Sequence, residues 1–233
     1  MPRPMHILQL TNMIKAIIFD IDGTLVDSVD YHAEAWVKAF KEYGYDFAHD
    51  TLRQQIGKGS SFIISDLLSP SEAEKLDSDI SQYRKQYYQD NLLEKIQPFP
   101  KVKELFAAIK EDGIRIVLAS SARKETIAYY KKLLDIEDLI DGATSTDDVE
   151  QSKPEPDIFL AALEQISDLD SQEVIVVGDS PYDAIAAAKA SLDTIGVLAG
   201  GFAAETLKEA GCIALYQDPA DLLEHYPQFL EMR

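Results

Sequence analysis

Two aspartates one residue apart, Asp20 and Asp22, follow directly on the apolar run Ala16-Ile17-Ile18-Phe19. Such a run reads as a buried strand about to end. Gly23 then permits a sharp turn. Two carboxylates at a strand end repel each other unless a cation sits between them; the plainer alternative is an acidic turn at a sheet edge. Downstream, Ser120 and Ser121 stand between an apolar run and a helical stretch. A hydroxyl and free N–H groups at a helix start can hold an anion, or the serine simply caps the helix. Lys153 is followed by Pro154 and Pro156, which hold it in an extended turn before the next helix, although most lysines are surface charges. Asp179 and Asp183 lie in Gly178-Asp179-Ser180-Pro181-Tyr182-Asp183, just after Val174-Ile175-Val176-Val177. Here too a cap is the alternative, with Pro181 in the helix's first turn.

These residues need elements to position them. Residues 15–19 are the first expected strand. A helix is expected over 29–43, ending near Gly44. Shorter helices are expected over 51–56 and 61–68, and Ser71-Glu72 opens a long one. In it Leu76, Ile80, Tyr83 and Tyr87 recur at helical spacing. Gln97-Pro98-Phe99-Pro100 ends this all-helical stretch. Alternation follows: helix 102–110, strand 114–119, helix 124–134, strand 140–144, helix 157–166, strand 174–177, helix 182–190 and strand 194–198. Helices over 203–210 and 220–226 close the chain, with a short strand possible near Ile213. Alternating strands and helices imply an α/β fold with a parallel sheet. Sites in such sheets lie beyond the carboxyl ends of the strands, where the residues above all fall. The helical stretch 29–97 reads as a domain inserted into a core made of 1–28 and 98–233.

Composition narrows the partners. The 233-residue chain has length for one large domain or a domain with an insert. Its net charge of -19 argues against nucleic acid or an anionic membrane as partner, because phosphate backbones need a basic footprint. A small phosphorylated metabolite stays open, since a cation and a few donors can reverse a local field. Cys212 is the only cysteine, so no internal disulfide forms, which suits a reducing cytoplasm. No apolar run approaches membrane-spanning length. Residues 1–13 read as an N-terminal arm without nameable chemistry.

The string Asp20-Ile21-Asp22-Gly23-Thr24-Leu25-Val26-Asp27-Ser28 resembles the first motif of the haloacid dehalogenase superfamily. Ser120, after the second strand, resembles the second motif. Lys153-Pro154-Glu155-Pro156-Asp157-Ile158-Phe159 resembles the third, and Gly178-Asp179-Ser180 with Asp183 the fourth. The resemblance implies a Rossmann-like core with strand order 5-4-1-2-3, counted along the chain. It also implies a helical cap like that of the β-phosphoglucomutase and phosphoglycolate phosphatase branch. By the same resemblance Asp20 is the nucleophile, Asp22 the acid and base, and Lys153 the charge stabiliser. Ser120, with Ser121, Gly23 and Thr24, would bind the phosphoryl group. Asp20, the backbone carbonyl of Asp22, Asp179 and Asp183 would hold Mg²⁺, Asp183 directly or through water.

Three functions compete. The first is a phosphomonoester hydrolase, as monomer or weak homodimer. The second is a sugar-phosphate mutase. His32, in Tyr31-His32-Ala33-Glu34-Ala35-Trp36, resembles a β-phosphoglucomutase residue, although sugar phosphatases of the branch carry it too and it also fits a helix surface. Against the mutase, Gly57-Lys58-Gly59-Ser60-Ser61 stands where mutases carry a phosphate-binding arginine, and no arginine lies between Arg53 and Arg84. Lys58 could substitute there only as a point charge. The third is a non-catalytic binding protein, which would not require the full motif set.

Overall fold

The computed structural model describes residues 13–230, so all of the expected arm except Met13 lies outside the described residues. The first strand, β1 (Ala16–Phe19), is buried throughout, as its unbroken apolar sequence requires. A two-residue strand, β2 (Val26–Asp27), follows. Four helices come next: α1 (Val29–Glu42), α2 (His49–Arg53), α3 (Ser60–Leu67) and α4 (Pro70–Asn91). Then β3 (Gln97–Pro98) pairs antiparallel with β2, Val26 opposite Pro98. Both ends of the helical segment therefore pass through one short ribbon.

The remaining chain alternates. It runs α5 (Val102–Glu111), β4 (Arg115–Ala119), α6 (Lys124–Leu134), β5 (Gly142–Thr144), α7 (Asp157–Glu164), β6 (Val174–Gly178) and α8 (Pro181–Lys189). It continues with β7 (Asp193–Val197), α9 (Ala204–Ala210), β8 (Cys212–Tyr216), α10 (Pro219–Glu224) and α11 (Tyr226–Leu230). The main sheet is parallel, in the order β5-β4-β1-β6-β7-β8. Its first five strands in chain order stand as 5-4-1-2-3 from one edge. The strand near Ile213 adds a sixth beside β7.

Side chains along β1 alternate between the two faces, as strand geometry demands. Ile17 and Phe19 join one apolar cluster, with Phe106, Leu118 and Val177. Ala16 and Ile18 join the other, with Val117, Phe159 and Val176. Helices thus cover both faces, and polar groups can gather only at the strand ends. Helices α1 to α4 have a separate cluster centred on Trp36, Phe40, Leu52, Ile64 and Ile80.

Several helix boundaries differ from expectation. α4 starts at Pro70, not Ser71: Ser69 is its cap, Glu72 accepts from the Ser69 N–H at 3.1 Å, and proline suits the first turn. α2 lies toward the N-terminus of the expected 51–56. The single helix expected over 220–226 is two, α10 and α11, with His225 between them; Asp218 caps the first by accepting from Ala220 and Asp221.

Candidate active site

β1 lies between β4 and β6, with Phe19 opposite both Leu118 and Val177. The Asp20 N–H still donates to the Val177 carbonyl at 2.9 Å, so its backbone is held like a strand residue. Asp179 leaves β6 alongside. The Thr24 hydroxyl lies 3.4 Å from Asp20 Oδ2 and 3.3 Å from Asp179 Oδ1, bridging the two carboxylates. Glycines make room for Asp179. A Cβ on Gly23, whose φ is +80°, would meet Asp179 Oδ2 at 2.3 Å, and one on Gly200 would meet it at 1.7 Å.

Lys153 reaches this cluster from the loop before α7. Its ammonium donates to Asp20 Oδ1 at 2.5 Å and to Asp183 Oδ1 at 2.8 Å, and only 1% of the residue is exposed. Asp183 Oδ2 accepts from the Ser180 N–H at 3.1 Å and its hydroxyl at 2.6 Å. Burial alone would lower the Lys153 pKa. Asp183 and Asp20 outweigh that and hold it above the ordinary lysine range. Removing one partner of such a buried pair costs about 3–5 kcal/mol.

Charge in the cluster is nonetheless in excess. Burial first, then the charges of Asp183 and Asp22, push the Asp20 carboxyl up to about 7, against the pull of Lys153. Burial and the neighbouring Asp183 and Asp20 push Asp179 well up too. Oxygen atoms of Asp20, Asp179 and Asp183 lie within 4.8 Å of one another. A buried set of hard oxygen donors with surplus negative charge fits a small divalent cation. The Asp22 carboxylate is not part of that set.

Asp22 is turned the other way. Its Oδ1 accepts from Ser28 Oγ at 2.7 Å and Tyr130 Oη at 2.9 Å, and lies 2.8 Å from His32 Nε2. Among the described residues its Oδ2 has only Ser120 Oγ, at 3.5 Å. Burial would raise its pKa, but His32, Ser28 and Tyr130 override this and hold the carboxyl well below the ordinary range. His32 is itself pushed down by burial, with Asp22 pulling it up and Arg84 adding to the fall. Arg84 comes from α4 and places Nη2 3.0 Å from His32 Nδ1.

The other sequence candidates fall in varied places. Ser120 is fully buried, and its Oγ accepts from the Ala122 N–H at 3.0 Å, a bond within the turn ahead of α6 and not a cap of that helix. Ser121 lines the cavity between the helical segment and the sheet, and its hydroxyl is buried without a protein partner among the described residues. The Gly23 N–H donates to Val26 O at 2.9 Å, so it is not free for phosphate. Lys58 also lines the cavity, but its ammonium is taken by Gln55 at 2.7 Å and Asp66 at 2.5 Å. The cavity holds about 860 Å³ and is also lined by Asp20, Asp22, His32, Arg84 and Lys153.

Sequence reasoning missed Ser28, Arg84, Tyr88 and Tyr130 as site residues. Ser28 stood inside the quoted motif. Arg84 and Tyr88 sit next to the apolar stripe of the long helix, at Tyr83 and Tyr87, and carry no separate signal. Tyr130 has none at all: only the fold brings it to Asp22.

A profile for haloacid dehalogenase-like hydrolases matches residues 17–197. A phosphorylated carbohydrates phosphatase of Thermotoga maritima is 28% identical over 90% of this chain and 97% of its own length. A pyrophosphatase PpaX of Bacillus velezensis is 28% identical over 94% of this chain and 96% of its own. Among solved structures, a hydrolase from Pseudomonas syringae superposes with a TM-score of 0.80 at 29% identity, covering 92% of this chain and 98% of its own. With the profile running from β1 through β7, and so across the turn that bears Asp20 and the acidic cluster alike, the chain belongs to the haloacid dehalogenase-like hydrolases.

Proposed function

We propose that this hydrolase is a Mg²⁺-dependent phosphomonoesterase that acts on a small phosphorylated metabolite through an aspartyl phosphate on Asp20. The carrying observation is the pairing of Asp20 with the buried Lys153 ammonium at 2.5 Å, beside Asp179 and at the floor of a polar cavity. Asp20 attacks phosphorus, one P–O bond forms and the ester P–O bond breaks. Asp22 gives a proton to the leaving oxygen and later takes one from the attacking water, whose oxygen bonds to phosphorus as the Asp20 O–P bond breaks, releasing inorganic phosphate and free Asp20. Its hydrogen bonds favour the carboxylate at rest; a bound phosphate dianion is a like charge and favours proton uptake. Asp20, Asp179 and Asp183 with the Asp22 carbonyl would hold Mg²⁺, which would supply charge neutralisation for the phosphate and Asp20. Lys153 keeps Asp20 oriented throughout. Serines and glutamines such as Ser61, Ser81, Gln82 and Gln86 line the cavity, which suits a hydroxyl-rich substrate.

The second reading, a mutase, gains from His32 sitting against Asp22. It loses from the cations of the helical segment. Lys58 is paired with Asp66, and Arg84 uses Nη2 on His32 and is packed between Trp36 and Tyr88. Lys85 is a point charge without the fork that clamps a second phosphate. A binding role alone leaves the buried lysine and carboxylates without a reason. We read the protein as cytoplasmic and monomeric or weakly dimeric, without nucleic-acid or membrane partners; among the described residues no helix is long and apolar enough to cross a membrane. The test is phosphate release from a panel of phosphomonoesters, with and without Mg²⁺. Release that depends on the metal supports the reading; a pure protein that turns over none of the panel contradicts it.

A further inference from the structure

Asp22 is supported from a direction that the motifs do not foresee. Tyr130, on α6, donates to Asp22 Oδ1 at 2.9 Å, and Tyr88, on α4, lies with its hydroxyl 2.6 Å from that of Tyr130. Directions follow from chemistry. An ionised carboxylate can only accept, so the Tyr130 proton points to Asp22. The Tyr130 oxygen must then accept, and Tyr88 is the donor. Both tyrosines are buried, Tyr130 fully. Burial, with the charge of Asp22, pushes both phenols above their ordinary pKa, so they stay donors. The Tyr88 ring also stacks on His32, with centroids 4.2 Å apart.

The effect on Asp22 is asymmetric. Among the described residues, Oδ1 is within hydrogen-bonding reach of three groups, Ser28, His32 and Tyr130, while Oδ2 has only the long contact to Ser120. Rotation of the carboxylate would break three short bonds, and bonds to a charged group contribute about 1.5–3 kcal/mol each. We propose that Tyr130, backed by Tyr88, is a positioning residue that locks the Asp22 carboxylate so that Oδ2 alone serves the leaving oxygen. The chain Tyr88, Tyr130, Asp22 also joins the helical segment to the sheet domain through one line of hydrogen bonds. This inference rests on the acid–base role given to Asp22 above.

The test compares Tyr130→Phe, Tyr88→Phe and the double variant on two substrates with Mg²⁺. An alkyl ester such as ethyl phosphate needs a proton on its leaving oxygen; p-nitrophenyl phosphate, with a stable leaving anion, needs it far less. For Tyr130→Phe we expect kcat/KM on the alkyl ester to fall about 10- to 100-fold, and by at least about tenfold more than on the aryl ester. Tyr88→Phe should show the same selectivity more weakly, and the double variant should match Tyr130→Phe, because Tyr88 acts only through it. Equal losses on both substrates, no loss, or multiplicative losses would overturn the proposal. Failure of the wild type on every phosphomonoester would instead count against the phosphatase reading. The crystal structure of Tyr130→Phe then decides the inference by itself. An Asp22 carboxylate spread over more than one rotamer supports it, and one unchanged rotamer overturns it.

Discussion

Arg84 fixes the proton on His32. Its Nη2 lies 3.0 Å from His32 Nδ1, and a guanidinium has donors only, so Nδ1 accepts. With Nδ1 accepting, the imidazole proton sits on Nε2, which donates to Asp22 at 2.8 Å; burial pushes the His32 pKa down, in keeping with this. Arg84 itself is flanked by Trp36 and Tyr88, its guanidinium carbon 5.3 and 5.8 Å from their ring centroids. A residue of α4 thereby sets the tautomer of a residue on α1, which in turn holds the Asp22 carboxylate on the turn after β1.

His32→Ala should therefore slow turnover, but less than Asp22→Ala, since Ser28 and Tyr130 still hold Asp22. We expect roughly 10-fold against roughly 10²- to 10⁴-fold in kcat. Arg84→Met should resemble His32→Ala, because it frees the tautomer without touching Asp22. Steady-state kinetics on one substrate checks the order. An Asp22→Ala variant as active as His32→Ala would contradict it.

On the proposed reading, metal and pH should be linked through Asp20. Its folded pKa is raised to about 7, above the unfolded value, so its contribution to the metal-free fold is present at low pH and lost as pH rises through about 7. A divalent cation needs the ionised form and reverses that loss. The gain in Tm on adding Mg²⁺ should thus be larger at pH 8 than at pH 5. Taking the difference cancels titrations that the metal does not touch. Activity should vanish with chelator and return with Mg²⁺, whereas Ca²⁺, with a larger and looser shell, should restore little. A Tm gain that shrinks as pH rises would contradict this linkage.

Gly200 has no positive φ to explain it, yet a Cβ there would lie 1.7 Å from Asp179 Oδ2. Gly200→Ala should displace Asp179. The Mg²⁺ concentration for half-maximal activity should rise about 10- to 100-fold, the size seen when support of a metal ligand is lost. A metal titration of the variant measures this. An unchanged half-maximum would show that Asp179 does not hold the cation.

Much of this site was legible because it follows the sheet. Asp20, Ser120 and Asp179 each come straight after a run of apolar residues, and a parallel sheet brings such positions to one edge. Lys153 and Asp183 were found by motif, and their mutual bond appears only in the fold. Thr24 and Gly23 were expected to meet phosphate, yet Thr24 bridges two carboxylates and the Gly23 N–H is used by Val26. The ribbon of β2 and β3 escaped notice because two residues per strand carry no periodicity. The surroundings of Asp22 were hidden for a different reason. Tyr88, Arg84 and Tyr130 lie far from it in sequence, on helices whose spacing reports burial and not chemistry.

Hydrolase and mutase part over the second hydroxyl. With Lys58 tied to Asp66, net release of inorganic phosphate should outrun any interconversion of hexose 1- and 6-phosphates, even with a bisphosphate primer. Phosphorus NMR follows both in one reaction. Isomer conversion faster than phosphate release would favour the mutase.

The nucleophile is tested most directly by phosphate release from wild type and Asp20→Asn, purified side by side and assayed with Mg²⁺. The amide keeps the size of the side chain and removes its anionic oxygen. We expect release to fall by roughly 10³-fold or more, with the fold intact by circular dichroism. An Asp20→Asn protein that releases phosphate at close to the wild-type rate, with contaminating phosphatase excluded, would contradict the aspartyl-phosphate route.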